Sequence, residues 1–218
     1  MKKVIIAFVV LIATVFTSNA QVFVGGGVGL DYRGGKYKSG NTSVDAPSLF
    51  SIQFMPKVGF YLTDNFAIGF NAGLLSVTSK DYNWRGDEVK LSIVGWEIGS
   101  FARYNAVGVE KLSLLLEGSV GLGGAYAKEK VGPLTTDGDP VLIMGLNVMP
   151  VLSYSLTDRL SIEASCDFLR FGYTHAITIR DNSGNSTNST FGFGVNTSTL
   201  NSQGNSTSLW KLGLIFKF

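Results

Sequence analysis

Residues 210–218 constrain this chain most. Trp210, Leu212, Leu214, Phe216 and Phe218 alternate with Lys211, Gly213, Ile215 and Lys217. Period-two alternation sends the two sets to opposite faces of a β-strand. One face is apolar along its whole length, and the sequence closes on an aromatic residue in mid-pattern. Such a strand is expected in a closed sheet facing lipid, where an open edge would leave backbone N–H and C=O groups without partners.

The other end agrees. Met1, Lys2 and Lys3 form a basic start, residues 4–16 an apolar run interrupted by Thr14, and Ser18 and Ala20 the small positions before Gln21. This is the pattern of a secretory signal peptide over 1–20, too short for a comfortable membrane-spanning helix. It leaves 21–218 as one barrel domain. No Cys stands directly after the expected cleavage point, so no lipoprotein anchor is indicated. Losing Lys2 and Lys3 leaves 16 of the 18 basic residues against 16 acidic ones. The pI near 8.6 then argues for no nucleic-acid partner. The lone Cys166 can form neither an internal disulfide nor a metal cluster. Mean hydropathy is +0.23, yet no later run is long enough for a spanning helix.

Eight alternating segments follow the leader. They lie near 22–32, 50–62, 66–74, 91–104, 112–122, 142–154, 160–168 and 210–218. Short connections at 63–65, 105–110 and 157–159 alternate with polar stretches near 33–48, 80–89, 128–139 and 180–206. Three tight turns and four long loops are what an eight-stranded up-and-down barrel requires, both termini lying at the short-turn end. The fold class expected is therefore all-β, a closed antiparallel up-and-down transmembrane barrel of eight strands. Residues 55–68 also resemble 149–162, each reading strand, Leu-Thr-Asp, strand. The Asp of each repeat, Asp64 and Asp158, is expected to hold its turn by accepting from the following backbone.

With its leader, its Leu-Thr-Asp turns and the closing Leu212-Gly213-Leu214-Ile215-Phe216-Lys217-Phe218, the chain resembles the small eight-stranded outer-membrane barrels of the OmpA/OmpX-like type. The likeness is to the outer membrane protein beta-barrel domain style common in Bacteroidota. That resemblance implies a Gram-negative outer membrane location, with outer-membrane lipids as surroundings. It also implies periplasmic chaperones and the barrel-assembly machinery as partners during biogenesis. Trp210, Leu212, Leu214, Phe216 and Phe218 would carry the assembly signal.

Alternation alone leaves open which face meets lipid. A soluble barrel with its apolar face around a ligand would need an exterior rich in Lys, Glu and Arg. Here the polar set is mostly Gly and Ser, which suits the crowded inside of an eight-stranded barrel. The few charges in that set are then enclosed: Lys57, Glu97, Arg103, Glu117, Glu163, Asp167, Lys211 and Lys217. Enclosed charges need partners. A network sealing the lumen is expected, and a narrow ion or solute path is the alternative. Phe60, Tyr61, Tyr104, Tyr154 and Phe218 are expected in the periplasmic aromatic girdle, and Trp84, Trp96, Tyr126, Phe171, Tyr173 and Trp210 in the outer one.

No catalytic constellation is legible. The single His175 is expected as a solvated loop-base residue after the seventh strand; Ser and Thr are plentiful but none sits in a recognisable constellation with it, so enzyme chemistry is not expected. No phosphate-loop or metal-ligand spacing occurs, and no cofactor is expected. The Gly25-Gly26-Gly27 run lies within a strand and is expected to allow close packing or curvature. The segment 180–206, rich in Asn, Ser, Thr and Gly, reads as a polar surface loop. Phe191 and Phe193 are its candidate apolar contacts for an extracellular ligand.

Overall fold

The computed structural model describes residues 21–39, 42–83, 85–166, 169–180, 184–193 and 210–218. The leader over 1–20, Trp84 and Asp167 lie outside the described residues. The strands are β1 (Val22–Arg33), β2 (Lys36–Ser39), β3 (Thr42–Asp45), β4 (Ser48–Thr63), β5 (Phe66–Tyr82), β6 (Glu88–Val109), β7 (Leu112–Val131), β8 (Leu134–Asp137), β9 (Val141–Ser155), β10 (Leu160–Cys166), β11 (Phe171–Thr178), β12 (Ser186–Phe193) and β13 (Trp210–Lys217). Eight of them, β1, β4, β5, β6, β7, β9, β10 and β13, pair antiparallel in sequence order, and β13 returns to β1. The sheet is thus a ring of up-and-down strands.

The ring holds because each long strand offers an extended ladder, with register shifts only near the short turns, at Tyr61/Thr63 and Asn105/Val107. β5 and β6 stay in register from Phe66↔Tyr104 to Tyr82↔Glu88. β1 faces β4 from Val22↔Phe60 to Arg33↔Leu49. At the closing seam Phe23 to Gly29 pair with Lys217 to Lys211. The chain ends meet here, the Phe218 N–H donating to the Val22 carbonyl at 2.9 Å.

The short turns lie at that same end. β6 continues to Val109, so the expected connection over 105–110 is mostly strand. It closes through Glu110 and Lys111, with a register shift between Asn105 and Val107. In the 156–159 turn the Thr157 hydroxyl, not the Asp158 carboxylate, accepts from the backbone. It takes the N–H groups of Arg159 at 3.3 Å and Leu160 at 3.0 Å. The short reach of the threonine hydroxyl suffices for this ST-type turn.

The long-loop end differs more from expectation. β2 and β3 make a hairpin inside the first loop, and β8 folds back on the end of β7. Between the expected seventh segment and the fourth loop the structure has a further strand, β11, which the eight alternating segments do not include. β10 covers the short-turn half of β9 from Ser161↔Ser155 to Ser165↔Val151, while β11 covers the other half, Phe171↔Val148 to Thr178↔Val141. The outer half of β9 would otherwise carry an unpaired edge of apolar residues, and β11 satisfies it. Ser186–Phe193, read as loop, is β12 and pairs along the whole of β11.

The two faces have opposite character. Leu74, Trp96, Ile98, Leu122, Met144, Leu146, Leu212 and Phe216 point outward and are exposed. Leu212 is 63% exposed and Phe218 70%. The core lies inside the ring, in two apolar clusters: Phe23, Ala67, Phe101 and Ile215 near the short turns, and Leu49, Val77, Ile93 and Ala125 toward the long loops. A contiguous apolar exterior of this extent is foreign to a surface in water and suits one in lipid.

Candidate functional site: a charged cluster in the lumen

Between the two apolar clusters sit four charged side chains from four strands. Lys57 stands on β4, Arg103 on β6, Glu117 on β7 and Glu163 on β10. All four occupy the inward-facing parity of their strands, shared with the buried Phe101 and Leu115. Cross-strand register sets Arg103 directly opposite Glu117. Barrel closure brings Glu163 in from the far wall.

The guanidinium of Arg103 is only 1% exposed and grips both carboxylates. Its Nη2 donates to Glu117 Oε2 at 2.5 Å and its Nε to the same oxygen at 3.1 Å. Its Nη1 donates to Glu163 Oε1 at 2.6 Å and its Nη2 to Glu163 Oε2 at 3.1 Å. The fork-to-fork pair with Glu163 uses the planar geometry that Arg offers and Lys does not. Lys57 Nζ adds contacts of 3.0 Å to Glu117 and 3.8 Å to Glu163. Two cations against two carboxylates make the cluster formally neutral, which a low-dielectric lumen demands.

Aromatic rings floor the cluster. The Arg103 guanidinium lies 5.5 Å from the Phe23 ring centre and 5.7 Å from that of Phe101, and Lys57 lies 5.5 Å from Phe101. These are cation–π distances. Phe23 in turn meets Tyr61 at 5.4 Å between centroids and Phe101 at 6.1 Å. The rings fit because the neighbouring wall is glycine. A Cβ on Gly59 would stand 2.5 Å from the Phe23 ring, and one on Gly69 would stand 2.6 Å from that of Phe101.

On the long-loop side of the cluster lies a cavity of about 140 Å³, bordered among others by Asn71, Glu97, Asn147, Arg170 and Lys211. Glycines line it too, Gly73, Gly95, Gly121 and Gly145 among them. Arg170 Nε donates to Asn147 Oδ1 at 2.7 Å. A volume of this size holds a few water molecules.

The expected charge network is thus divided. Lys57, Arg103, Glu117 and Glu163 come together. Glu97 stands apart on the cavity wall, where Asn71 Nδ2 donates to it at 3.4 Å. Lys211 is buried beside the same cavity. Lys217 lies 5.5 Å over the Tyr61 ring. Asp167 falls outside the described residues. Tyr61, expected in the girdle, belongs to the lumen floor, because its odd parity on β4 matches Lys57 and not Phe60. The floor residues Phe23, Phe101 and Ile215 were not singled out from the sequence, although each sits among glycines in the polar set.

His175 also differs from its expected setting. It stands on β11 opposite Ser189 of β12, and its Nδ1 lies 2.7 Å from the Ser189 hydroxyl. Tyr173 donates to that hydroxyl at 3.3 Å. Among the described residues no carboxylate reaches the other ring nitrogen of His175. No group of three or more metal-ligating side chains occurs among the described residues.

No protein-family model matches the chain, and no curated protein matches it. Among solved structures it is similar to Neisserial surface protein A, at 15% identity and a TM-score of 0.36, over 92% of this chain and 100% of that one. It is similar to a major outer membrane protein from Thermus thermophilus, at 13% identity and 0.49, over 92% and 100%. It is also similar to Ail, the attachment invasion locus protein of Yersinia pestis, at 10% identity and 0.39, over 91% and 98%. The barrel itself stands on its own closed ladder of strand pairings.

Proposed function

We propose that this protein is an integral outer-membrane β-barrel that serves as a structural and surface-interaction scaffold, with a sealed lumen and displayed loops. The outward belt supports the membrane reading. On β6 the outward run from Tyr104 back to Val94 covers about 33 Å of strand, or about 25 Å of height at a tilt of about 40°, which matches an outer-membrane hydrocarbon band. In this reading residues 1–20 direct export and are removed. The barrel-assembly machinery reads the strand ending in Leu212, Leu214, Phe216 and Phe218, with Trp210 at its start, and periplasmic chaperones escort the chain. Kinship with the OmpA/OmpX-like barrels is part of the same proposal.

The observation that carries the sealed-scaffold reading is the Arg103–Glu163 bridge across the lumen, braced by the rings of Phe23 and Phe101. A hydrated path needs an open column, and here ion pairs and aromatic packing fill the section. A small-solute channel is the second reading, favoured by the polar cavity beside the cluster. Planar-bilayer recording of the refolded mature protein separates them, with heat-modifiable gel mobility as the folding control. A folded, silent protein is expected. Reproducible conductance steps would overturn the sealed lumen and favour the channel.

We also hold the protein to be non-catalytic. His175→Ala is expected to leave the lipid composition of the host membrane unchanged, and an altered acylation pattern would refute that. An extracellular ligand of the 180–206 segment would meet the β12 edge, where Phe171 and Phe191 stack edge-on at 4.9 Å.

A further inference from the structure

The strand register gathers lysines on the outside of the barrel, in one sector, beyond the apolar belt. Lys80 of β5 lies directly across from Lys90 of β6, and Lys90 directly across from Lys130 of β7. All three share the outward parity, since they alternate with the inward, buried Val77, Ile93 and Ala125. Lys128 lies one outward position nearer the belt, with its Nζ 5.6 Å over the ring of Tyr126.

Three like charges abreast repel one another across a sheet. Two of these four lysines are compensated: Lys80 by Glu88 at 3.4 Å and Lys128 by Asp137 at 3.5 Å. Lys90 and Lys130 form no ion pair among the described residues. They face each other directly across β6 and β7, where a register that selects against repulsion would have put a carboxylate. The sector is local. At the same end of the barrel the outward positions of β1, β4, β9 and β11 are uncharged: Leu30, Tyr32, Phe50, Leu142 and Ile177.

The height suits a phosphate. Lys128 is two residues beyond Tyr126, and Lys90 four residues beyond Val94. The latter is about 13 Å of tilted strand, or about 10 Å of height above the hydrocarbon edge. The polar layer of a bilayer is about 5–8 Å deep on each side, and a lysine stem reaches back along an apolar wall to bring its ammonium to that depth.

We propose that Lys90 and Lys130, flanked by Lys80 and Lys128, form a docking band for the phosphate groups of anionic lipids in the outer leaflet. This inference rests on the membrane-spanning reading above. The band would fix the rotational setting of the barrel among its lipids, with one charged sector and one neutral sector.

The test uses the mature chain refolded in phosphatidylcholine vesicles, probed with spin-labelled phosphatidic acid and spin-labelled phosphatidylcholine. The wild-type protein is expected to immobilise the phosphatidic acid probe about fivefold more strongly, the scale of one lysine near an anionic surface. The preference should fall toward unity in K90Q/K130Q, persist in K90R/K130R and weaken in roughly 0.5 M salt, a level set by screening of about 3–5 Å. Heat-modifiable mobility of each variant reports insertion. An inserted wild-type protein without preference, or an undiminished preference in inserted K90Q/K130Q, would overturn the band alone. Failure of the wild-type chain to insert would overturn the membrane reading and the band together.

Discussion

Arg103 and Glu163 meet across the lumen at 2.6 Å although 60 residues separate them in sequence. Their strands, β6 and β10, are three steps apart around the ring. The contact therefore forms only when the barrel closes, unlike Arg103–Glu117, which a single hairpin already brings together across 14 residues.

Removing the cation from this cluster should cost far more than removing the cluster. Arg103→Met leaves two carboxylates enclosed with Lys57 alone, at a cost of about 3–5 kcal/mol. The fourfold variant K57M/R103M/E117Q/E163Q should recover much of that, because no unpaired charge remains. Urea unfolding in vesicles, followed by the gel-mobility shift, orders the two. Equal losses would contradict the charge-pairing account.

The seal should have two layers. Arg103→Ala by itself is expected to stay silent in planar bilayers, since Phe23, Phe101 and Ile215 still close the short-turn end. Combining it with Phe23→Ala removes the ring over which the guanidinium lies, at 5.5 Å, and conductance steps are expected only then. Steps from Arg103→Ala alone would show that the apolar floor does not seal.

Glycine positions in the wall should differ sharply. Gly69→Ala drives a methyl into the Phe101 ring at 2.6 Å and against the Val58 carbonyl, which should cost about 1–3 kcal/mol through overpacking. At Gly27 the nearest atom to an added Cβ is 3.5 Å away. Gly27→Ala should be neutral or stabilising by about 0.5–1 kcal/mol, since alanine restricts the unfolded chain. Equilibrium unfolding of the two variants measures the contrast.

The lipid-facing assignment predicts a depth-dependent penalty. Val120, 54% exposed on the outward face of β7, should lose about 2–4 kcal/mol on conversion to Arg in a bilayer. Thr78→Arg, beyond the apolar run on β5, should lose about 0–1 kcal/mol by the same dependence. Refolding yields and unfolding energies in vesicles test the pair, and equal penalties would remove the belt assignment.

In the turn over 156–159, Thr157→Ala removes the acceptor of two backbone N–H groups and should cost about 1 kcal/mol. Asp158→Ala should stay within about 0.5 kcal/mol, as for an ordinary surface change. Thermal or urea midpoints of the two variants decide which side chain holds the turn.

The sequence by itself determined the eight segments that make the ring and the two faces of each, but not β2, β3, β8, β11 or β12. Side-chain period is a local property, so Leu212, Leu214 and Phe216 declare their face without knowing their neighbours. It also determined that Lys57, Arg103, Glu117 and Glu163 point the same way as the glycines. β12 stayed hidden because Thr187, Asn188, Ser189 and Thr190 are polar on both parities, and its pairing comes only from the open edge of β11. Tyr61 was read as girdle because an aromatic near a turn suits either face, and parity with Lys57 decides it. Which charges touch, that Glu97 stands aside, that Phe23 and Phe101 floor the cluster, and that Lys80, Lys90 and Lys130 stand abreast were decided by tertiary structure alone. Each depends on register between strands and on closure of the ring, and residues on separate strands carry no local signal of either.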